Sequence, residues 1–185
     1  MLVITQAQTE QDLQGILDLQ RRNLRRLIEA DTAHSQGFLV SEYDIPFLKK
    51  MAEIEPGIIA KDGDTVAGYC LPLHPSLSSE SLLLTSMVDT LNRVDFQEKS
   101  LSRSNYIVVG QVCVGDGYRS QGLFDQLYQH FKQQLSGRYD LAVAEVAQRN
   151  SRSQRAHERV GFQKIHDHFD PMYDETWNVL VWDWH

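Results

Sequence analysis

The stretch that decides the fold reads YIVVGQVCVGDGYRSQGLFDQLYQHFKQQL and spans residues 106–135. Its first part, 106–114, is dense in β-branched residues and predicts a buried strand. A glycine-rich turn follows at 115–117, and apolar residues at helical spacing predict a helix over the rest of the stretch. A strand, a glycine-rich turn and a helix in this order direct free backbone N–H groups and the positive end of the helix dipole to one point. The stretch therefore predicts a phosphate site, to which Arg119 adds a positive charge.

Two phosphate-binding loops of other protein classes do not fit this turn. A Walker A loop needs Lys and then Ser or Thr after its second glycine, whereas Leu123-Phe124 stands there. The first two glycines of the dinucleotide-binding pattern G-x-G-x-x-G are present within 115–117, but Ser120 stands in place of the third. The turn therefore belongs to neither of these classes of nucleotide-binding protein.

A third pattern fits the turn. The segment Arg119-Ser120-Gln121-Gly122-Leu123, placed after a strand, resembles the acyl-CoA pyrophosphate loop of the GNAT superfamily of N-acetyltransferases. That family writes the loop as Q/R-x-x-G-x-G/A, and Phe124 replaces the small final residue. In the family the loop holds the pyrophosphate through main-chain amides. The side chain of Phe124 is therefore expected to point away from the pyrophosphate.

The residues that follow match the motifs of the same family at the same spacing. A strand ends in Glu145-Val146, Asn150 comes next, and Gly161-Phe162 follows a short helix. His157 lies seven residues after Asn150, at the position where the family has a Tyr. The resemblance is therefore specific over about 106–184.

The resemblance implies an α/β (α+β) fold with a mixed, mostly antiparallel central sheet and helices on both faces. Two splayed parallel strands, 106–114 and 141–146, would lie in the middle of this sheet. A single domain is expected over 1–185. The segment 76–104 has no counterpart in the family and is expected to be an inserted helical segment.

The resemblance also implies that acetyl-CoA is the co-substrate and lies between the two splayed strands. Its pantetheine arm would pair with the main chain of 112–114, and the amides of 121–124 would hold its pyrophosphate. Asn150 would bind the pantetheine arm or brace the splay. The residues expected at the cofactor are Val112, Cys113, Val114, Arg119, Ser120, Gln121, Gly122, Leu123, Phe124 and Asn150.

The implied reaction transfers an acetyl group from acetyl-CoA to a primary amine by direct attack on the thioester. The main-chain N–H of Val112 would stabilise the oxyanion. Glu145 matches a position that serves as the base in some relatives, although many others carry a Glu there without that role. His157 matches the Tyr that protonates the leaving thiolate, and an imidazole can donate that proton near neutral pH. The alternative for His157 is a helix histidine packed beside the cofactor.

A second function remains open on the same residues. Phe124 and the missing Tyr favour a non-catalytic acyl-CoA-binding or regulatory module on the same fold. The sequence does not specify the acceptor beyond a small-molecule or peptide amine. A net charge of -7 favours a cationic amine through electrostatic steering.

Composition narrows the class of partner. The chain has 18 Lys and Arg against 25 Asp and Glu, which argues against nucleic acid as its main partner because phosphate contacts need clustered cations. No apolar run approaches the ~20 residues of a membrane span. The first residues lack the basic and apolar segments of a signal peptide, so a cytoplasmic protein is expected. Cys113 lies between two valines and predicts a buried thiol rather than a nucleophile.

The remaining residues with side chains able to bind metals or protons give weaker signals. His34 and His74 are expected in loops, and His166 and His168 near a strand end have poor spacing for a metal site, so no metal is expected. The C-terminal stretch 177–184 alternates and predicts a last strand, with two tryptophans facing either the core or a dimer surface. A homodimer through this strand is a further expectation.

Overall fold

The computed structural model describes residues 1–28, 37–80 and 82–185; His34, expected in a loop, lies outside these described residues. The strands in the described residues are β1 (Leu2–Gln6), β2 (Ile58–Asp62), β3 (Thr65–Leu73), the short β4 (Asp95–Phe96) and β5 (Lys99–Ser100), β6 (Tyr106–Val114), β7 (Leu141–Ala147), β8 (Gln163–Asp170) and β9 (Glu175–Asp183).

One sheet of seven strands organises the described part of the chain, in the order β1-β2-β3-β6-β7-β9-β8. Neighbouring strands of this sheet run antiparallel, except β6 and β7, which are parallel. The predicted mixed, mostly antiparallel sheet with a parallel pair in its middle is therefore confirmed.

Helices cover both faces of this sheet, as predicted. Apolar side chains of the first three helices join one core cluster, and those of the fourth join a second cluster on the other face. Thr9 and Asp12 form a capping box at the start of the first helix, and Asp44 caps the second. The helices are α1 (Glu10–Asn23), α2 (Ile45–Ile54), α3 (Leu82–Leu91), α4 (Leu123–Leu135) and α5 (Ser151–Val160).

The two parallel strands separate at a defined point. Their pairing ends at Val108 and Val143, although β6 continues to Val114 and β7 to Ala147. Close to this point the register of β6 against β3 shifts, which leaves Gly110 as the extra residue of a β-bulge. A Cβ atom at Gly110 would lie 2.9 Å from the Cβ of Leu73, so the bulge needs glycine. The separation of the two strands is therefore accompanied by an irregularity in the backbone of β6.

Two predicted boundaries differ from the structure. Leu24, Leu27 and Ile28 continue the helical spacing of apolar residues, which predicts a longer helix, but α1 ends at Asn23, and a bridge from Leu24 to Leu39 follows. Proline has no N–H for a strand ladder, which predicts that β3 ends at Pro72, but the strand passes through it to Leu73. Pro72 stands at the register shift against β6, an irregular point of the ladder where a strand tolerates proline.

The segment 76–104 contains more than the expected helix. A 3₁₀ turn at Pro75–Glu80 precedes α3, and the β4–β5 hairpin follows it. None of the helices in the described residues is both long enough and apolar enough to cross a membrane.

The C-terminal strand does not offer the expected dimer edge. β9 lies between β7 and β8, so both of its edges are paired within the chain. Trp182 and Trp184 pack against Tyr128 and Phe131 of α4. The two tryptophans therefore face the core, and a homodimer stays a prediction without this strand as its basis.

Candidate functional site

A cavity of about 470 Å³ lies beside the glycine-rich turn that follows β6. Gly122 precedes α4 with a φ of 76°, and no side chain among the described residues caps the first N–H groups of this helix. Ser120 also adopts a left-handed conformation, with a φ of 61°. Uncapped N–H groups at a helix start favour an anion, because they lack partners and lie at the positive end of the dipole. A cavity with these uncapped N–H groups therefore lies where the sequence predicts a phosphate site.

Arg119 is a structural brace in the wall of this cavity. Its Nε donates to the carbonyl oxygen of Val114 at 3.1 Å, and its Nη2 donates to Oδ1 of Asn23 at 2.6 Å. Nη1 forms an ion pair with Asp116. These contacts tie the end of β6 to the end of α1 and add positive charge to the cavity wall.

The side chain of Phe124 is accommodated away from the turn. Its ring centroid lies 5.0 Å from that of Tyr128 and 5.3 Å from that of His157. Phe124 therefore packs along α4 towards α5, while it also lines the cavity. The bulky side chain is therefore held against the rings of Tyr128 and His157 at the cavity wall.

Three arginines of α5, not among the residues predicted at the site, face the same cavity. Arg152, Arg155 and Arg159 are three and four residues apart, which places them on one side of the helix. Arg159 holds Asp125 through both carboxylate oxygens. This acidic protein therefore has a locally basic wall at its candidate anion site. The spacing of these three arginines on one side of a short predicted helix is the sequence signal that indicates such a wall.

A smaller cavity of about 100 Å³ fills the gap between β6 and β7. It shares Val112, Asn150 and Ser153 with the larger cavity, so the two spaces adjoin. Cys113 is buried, and burial raises the pKa of its thiol to about 12, as expected of a structural thiol. The predicted cofactor residues that line the larger cavity are Val112, Cys113, Val114, Arg119, Ser120, Gly122, Leu123, Phe124 and Asn150.

Gln121 alone of the predicted cofactor residues does not line either space. Its side-chain Nε2 donates to the carbonyl oxygen of Gly117 at 3.0 Å, which ties the two ends of the turn together. Asn150 caps α5 by accepting from the N–H of Ser153, and its Nδ2 donates to the carbonyl oxygen of Phe38 at 3.2 Å. Asn150 therefore holds the segment 37–39, which lines one side of the cavity.

His157 is buried on α5 at the wall of the splay cavity. Its Nδ1 lies 2.7 Å from the carbonyl oxygen of Ser153, so this nitrogen carries the hydrogen. Nε2 then accepts from the hydroxyl of Tyr128 at 2.7 Å. Burial lowers the pKa of His157 from 6.5 to about 4, although the bond to Ser153 opposes this shift. The ring is neutral at pH 7 with its N–H engaged, which favours the packed histidine over the proton donor.

Glu145 lies on β7 beyond the point where the strands separate, and it lines the splay cavity. Its Oε1 lies 3.0 Å from Nε2 of His168 on β8. This hydrogen bond raises the pKa of His168 above its ordinary value, against the effect of burial. The spacing of His166 and His168 in the sequence indicates only a weak metal site and does not predict this pair. The pairing depends on the strand order β7-β9-β8, which local patterns do not reveal.

A third cavity of about 730 Å³ opens on the face covered by α1 and α2. It shares Val40 and Ser41 with the splay cavity. Gln111 of β6 holds this segment by donating to the carbonyl oxygen of Ser41 at 2.8 Å. The hydroxyl of Tyr43 donates to the carbonyl oxygen of Gly110 at 2.9 Å. The splay therefore adjoins one cavity on each face of the sheet.

Solved structures resemble the whole chain. A NatC complex bound to Gag peptide and CoA has a TM-score of 0.68 at 14% identity, covering 100% of this chain and 99% of that chain. NAA60 of Arabidopsis thaliana, in complex with acetyl-CoA, has a TM-score of 0.65 at 14% identity and 99% coverage of both chains. The putative acetyltransferase yncA of Salmonella typhimurium, with its cofactor acetyl-CoA, has a TM-score of 0.65 at 12% identity, covering 100% and 94%.

At this level of identity the similarity shows a common fold. No curated protein sequence matches the chain. The family model described as the acetyltransferase (GNAT) family matches residues 19–162, which include the glycine-rich turn, both splayed strands and α5. The match spans well over half of the sequence, and the chain therefore belongs to the acetyltransferase (GNAT) family.

Proposed function

We propose that this protein is an N-acetyltransferase that transfers the acetyl group of acetyl-CoA to a primary amine by direct attack on the thioester. One observation carries the proposal: the gap between β6 and β7 adjoins the cavity at the start of α4 on one side and a large cavity on the other. This arrangement suits a reaction in which cofactor and acceptor approach from opposite faces of the sheet. The acceptor is a small-molecule or peptide amine.

The charge and shape of the cavity at the start of α4 suit the parts of acetyl-CoA that would bind there. The uncapped amides at the start of α4 would hold the pyrophosphate, and the basic wall from α5 would offset the remaining phosphate charge. The pantetheine arm would run beside 112–114 towards the splay. Beyond Val108 the edge of β6 is not paired with β7, so its main-chain groups are available to the arm and to the oxyanion. The N–H of Val112 is our candidate oxyanion donor.

The chemical step forms a C–N bond and breaks the C–S bond of the thioester. The neutral amine attacks the carbonyl carbon, and the amine nitrogen then gives a proton to a base, for which Glu145 is our candidate. The tetrahedral intermediate expels the thiolate of CoA, which takes a proton to give the free thiol. His157 is neutral and buried, so we assign the thiolate proton to solvent and give His157 the role of shaping the cavity.

Calorimetric titration with acetyl-CoA tests the cofactor site. The wild type is expected to bind, and Gly122→Asp is expected to weaken binding by at least about tenfold, or 1.4 kcal/mol. The new carboxylate would face the pyrophosphate. Gly122→Asn is the control for backbone strain at this left-handed position, because it adds a side chain of the same size without the charge.

A second control separates the site from the turn as a whole. Gly117→Asp adds the same charge in the same turn, at an exposed residue outside the cavity lining, and should leave binding unchanged. Wild-type protein that binds no acetyl-CoA would overturn the proposal. If acetyl-CoA binds but no amine in a broad panel causes release of the CoA thiol, the result would instead support the non-catalytic acyl-CoA-binding module. The histidine at position 157, where the family has a Tyr, favours that alternative.

A further inference from the structure

Glu145 and His168 form a side-chain pair that spans the strand between them. Glu145 belongs to β7 and pairs with Val179 of β9, while His168 belongs to β8 and pairs with Trp177 of β9. The two side chains reach across this strand and meet with 3.0 Å between Nε2 and Oε1. The side chains are only 9% exposed for Glu145 and 17% for His168. A pair this enclosed is screened little by solvent, so its geometry is better defined than that of a surface ion pair.

The carboxylate of Glu145 is held on one side only. Among the described residues, Oε1 has His168 as its partner, and Oε2 has no hydrogen-bond partner. Glu145 lines the gap between β6 and β7, where the thioester of the proposed reaction would lie. A carboxylate with one oxygen anchored and the other free next to the reacting atoms has the arrangement that a general base needs.

We propose that His168 is a positioning residue that holds Glu145 by donating its Nε2–H to Oε1, so that Oε2 serves as the proton acceptor for the attacking amine. This inference rests on the proposed function. The proton leaves the amine nitrogen as the C–N bond forms and moves to Oε2, directly or through one water. His168 keeps its own Nε2 hydrogen throughout this step.

The protonation state of His168 sets the pH range in which the pair works. The groups that act on His168 are Glu145 from β7 and Asp167 and Asp170 from its own strand, and all three raise its pKa. The facing residue of β9 is Trp177, which has no charge. Doubly protonated His168 stabilises the carboxylate of Glu145 as an anion and makes it a weaker base. Loss of the second proton removes this effect, so kcat/KM is expected to rise with pH through the titration of His168.

The first arm of the test needs no acceptor. Titration of the histidine ring protons by NMR is expected to give His168 a pKa above 6.5 in the wild type, and Glu145→Gln is expected to bring it down. A His168 titration that Glu145→Gln leaves unchanged would show that the two groups do not interact in solution, and would overturn the proposal.

The second arm measures thiol release from acetyl-CoA with a panel of polyamines, arylalkylamines and peptides with free N-termini. His168→Ala is expected to lower kcat by about tenfold or more while KM for acetyl-CoA stays unchanged. His168→Gln keeps an amide N–H near the place of Nε2 and should restore most of kcat, but without the acidic limb of the pH profile. His166→Gln, an exposed residue two positions away, is the matched control and should behave as the wild type.

The two proposals fail in different ways. If the wild type binds no acetyl-CoA by calorimetry, the proposed function fails and the role of His168 fails with it, whatever the NMR titration shows. If acetyl-CoA binds and is turned over, but His168→Ala keeps the wild-type kcat and pH profile, only the positioning role is overturned. Turnover of no amine in the panel also overturns the role, because the pair would then serve no transfer reaction.

Discussion

At the residue scale, burial decides what His157 contributes. The ring is enclosed by Ser153 of its own helix and Tyr128 of α4, and its folded-state pKa of about 4 lies below the ordinary 6.5. The unfolded chain therefore binds one more proton than the folded protein between these two values. The contribution of His157 to the free energy of unfolding is complete above pH 6.5 and is lost as the pH falls towards 4.

We predict that His157→Phe weakens the acid sensitivity of the fold. Between pH 7 and pH 5 the wild type should lose about 2 kcal/mol of unfolding free energy through this one group, and the variant should lose that much less. Urea unfolding at both pH values measures the difference. Phe also removes both hydrogen bonds, so the comparison is made between pH values within each protein. A variant that stays folded and binds acetyl-CoA but loses kcat by about a hundredfold would restore the proton-donor role to His157.

The sequence locates residues well where their place depends on local order. Gly122 at the start of α4 and Asn150 at the start of α5 follow from position alone, because helix starts need particular residues. The role of His168 could not be predicted in this way. Its partner Glu145 lies 23 residues away, and their contact depends on the order in which the strands assemble.

At the element scale, α5 divides into a buried face and a basic face. His157 packs inward, whereas Arg152, Arg155 and Arg159 face the cavity. Arg159 also holds Asp125, which fixes the end of α5 to the start of α4. Arg155 is exposed and extends the basic wall towards solvent. The cavity is therefore more basic than the pyrophosphate alone would require.

We predict that Arg155→Gln weakens binding of CoA several-fold but leaves binding of dephospho-CoA nearly unchanged. The two ligands differ by one phosphate, so a residue that acts on that phosphate distinguishes them. Calorimetric titration of both ligands at low and high salt measures the effect, which salt should reduce. Lys99→Gln removes a charge from the β4–β5 hairpin and is the matched control. An equal loss for both ligands would place Arg155 at the pyrophosphate.

Elements with strong periodicity could be predicted, but their ends depend on distant contacts. The hairpin of β2 and β3 follows from the Asp62-Gly63 turn between two apolar runs. The end of α1 does not follow from periodicity. Asn23 donates to the carbonyl oxygen of Leu19 and accepts from Arg119, which lies 96 residues further along the chain. A contact of this kind is invisible until the fold has formed.

At the scale of the whole molecule, the sheet separates two chemical environments. α4 and the basic wall of α5 lie on one face, whereas α1, α2 and the cavity of about 730 Å³ lie on the other. The gap between β6 and β7 joins them. The family resemblance over 106–184 predicted the splayed strands and the helices on both faces, but neither the basic wall nor the large cavity. The segment 76–104 contributes α3 and the β4–β5 hairpin, and because it has no counterpart in the family pattern its contribution to the large cavity could not be predicted.

Because the gap lies in the middle of the sheet, we predict that acetyl-CoA stabilises the whole molecule. At a hundredfold excess over Kd the gain is about 2.7 kcal/mol, which corresponds to a rise in Tm of about 5–10 °C for a domain of this size. Hydrogen exchange should show new protection in β6 beyond Val108 and in β7 beyond Val143, where the two strands are no longer paired with each other. The β1–β2 pair at the far edge should change little. Protection confined to α4 and α5, with none in the gap, would mean that the cofactor binds through its phosphates without placing its thioester between the strands.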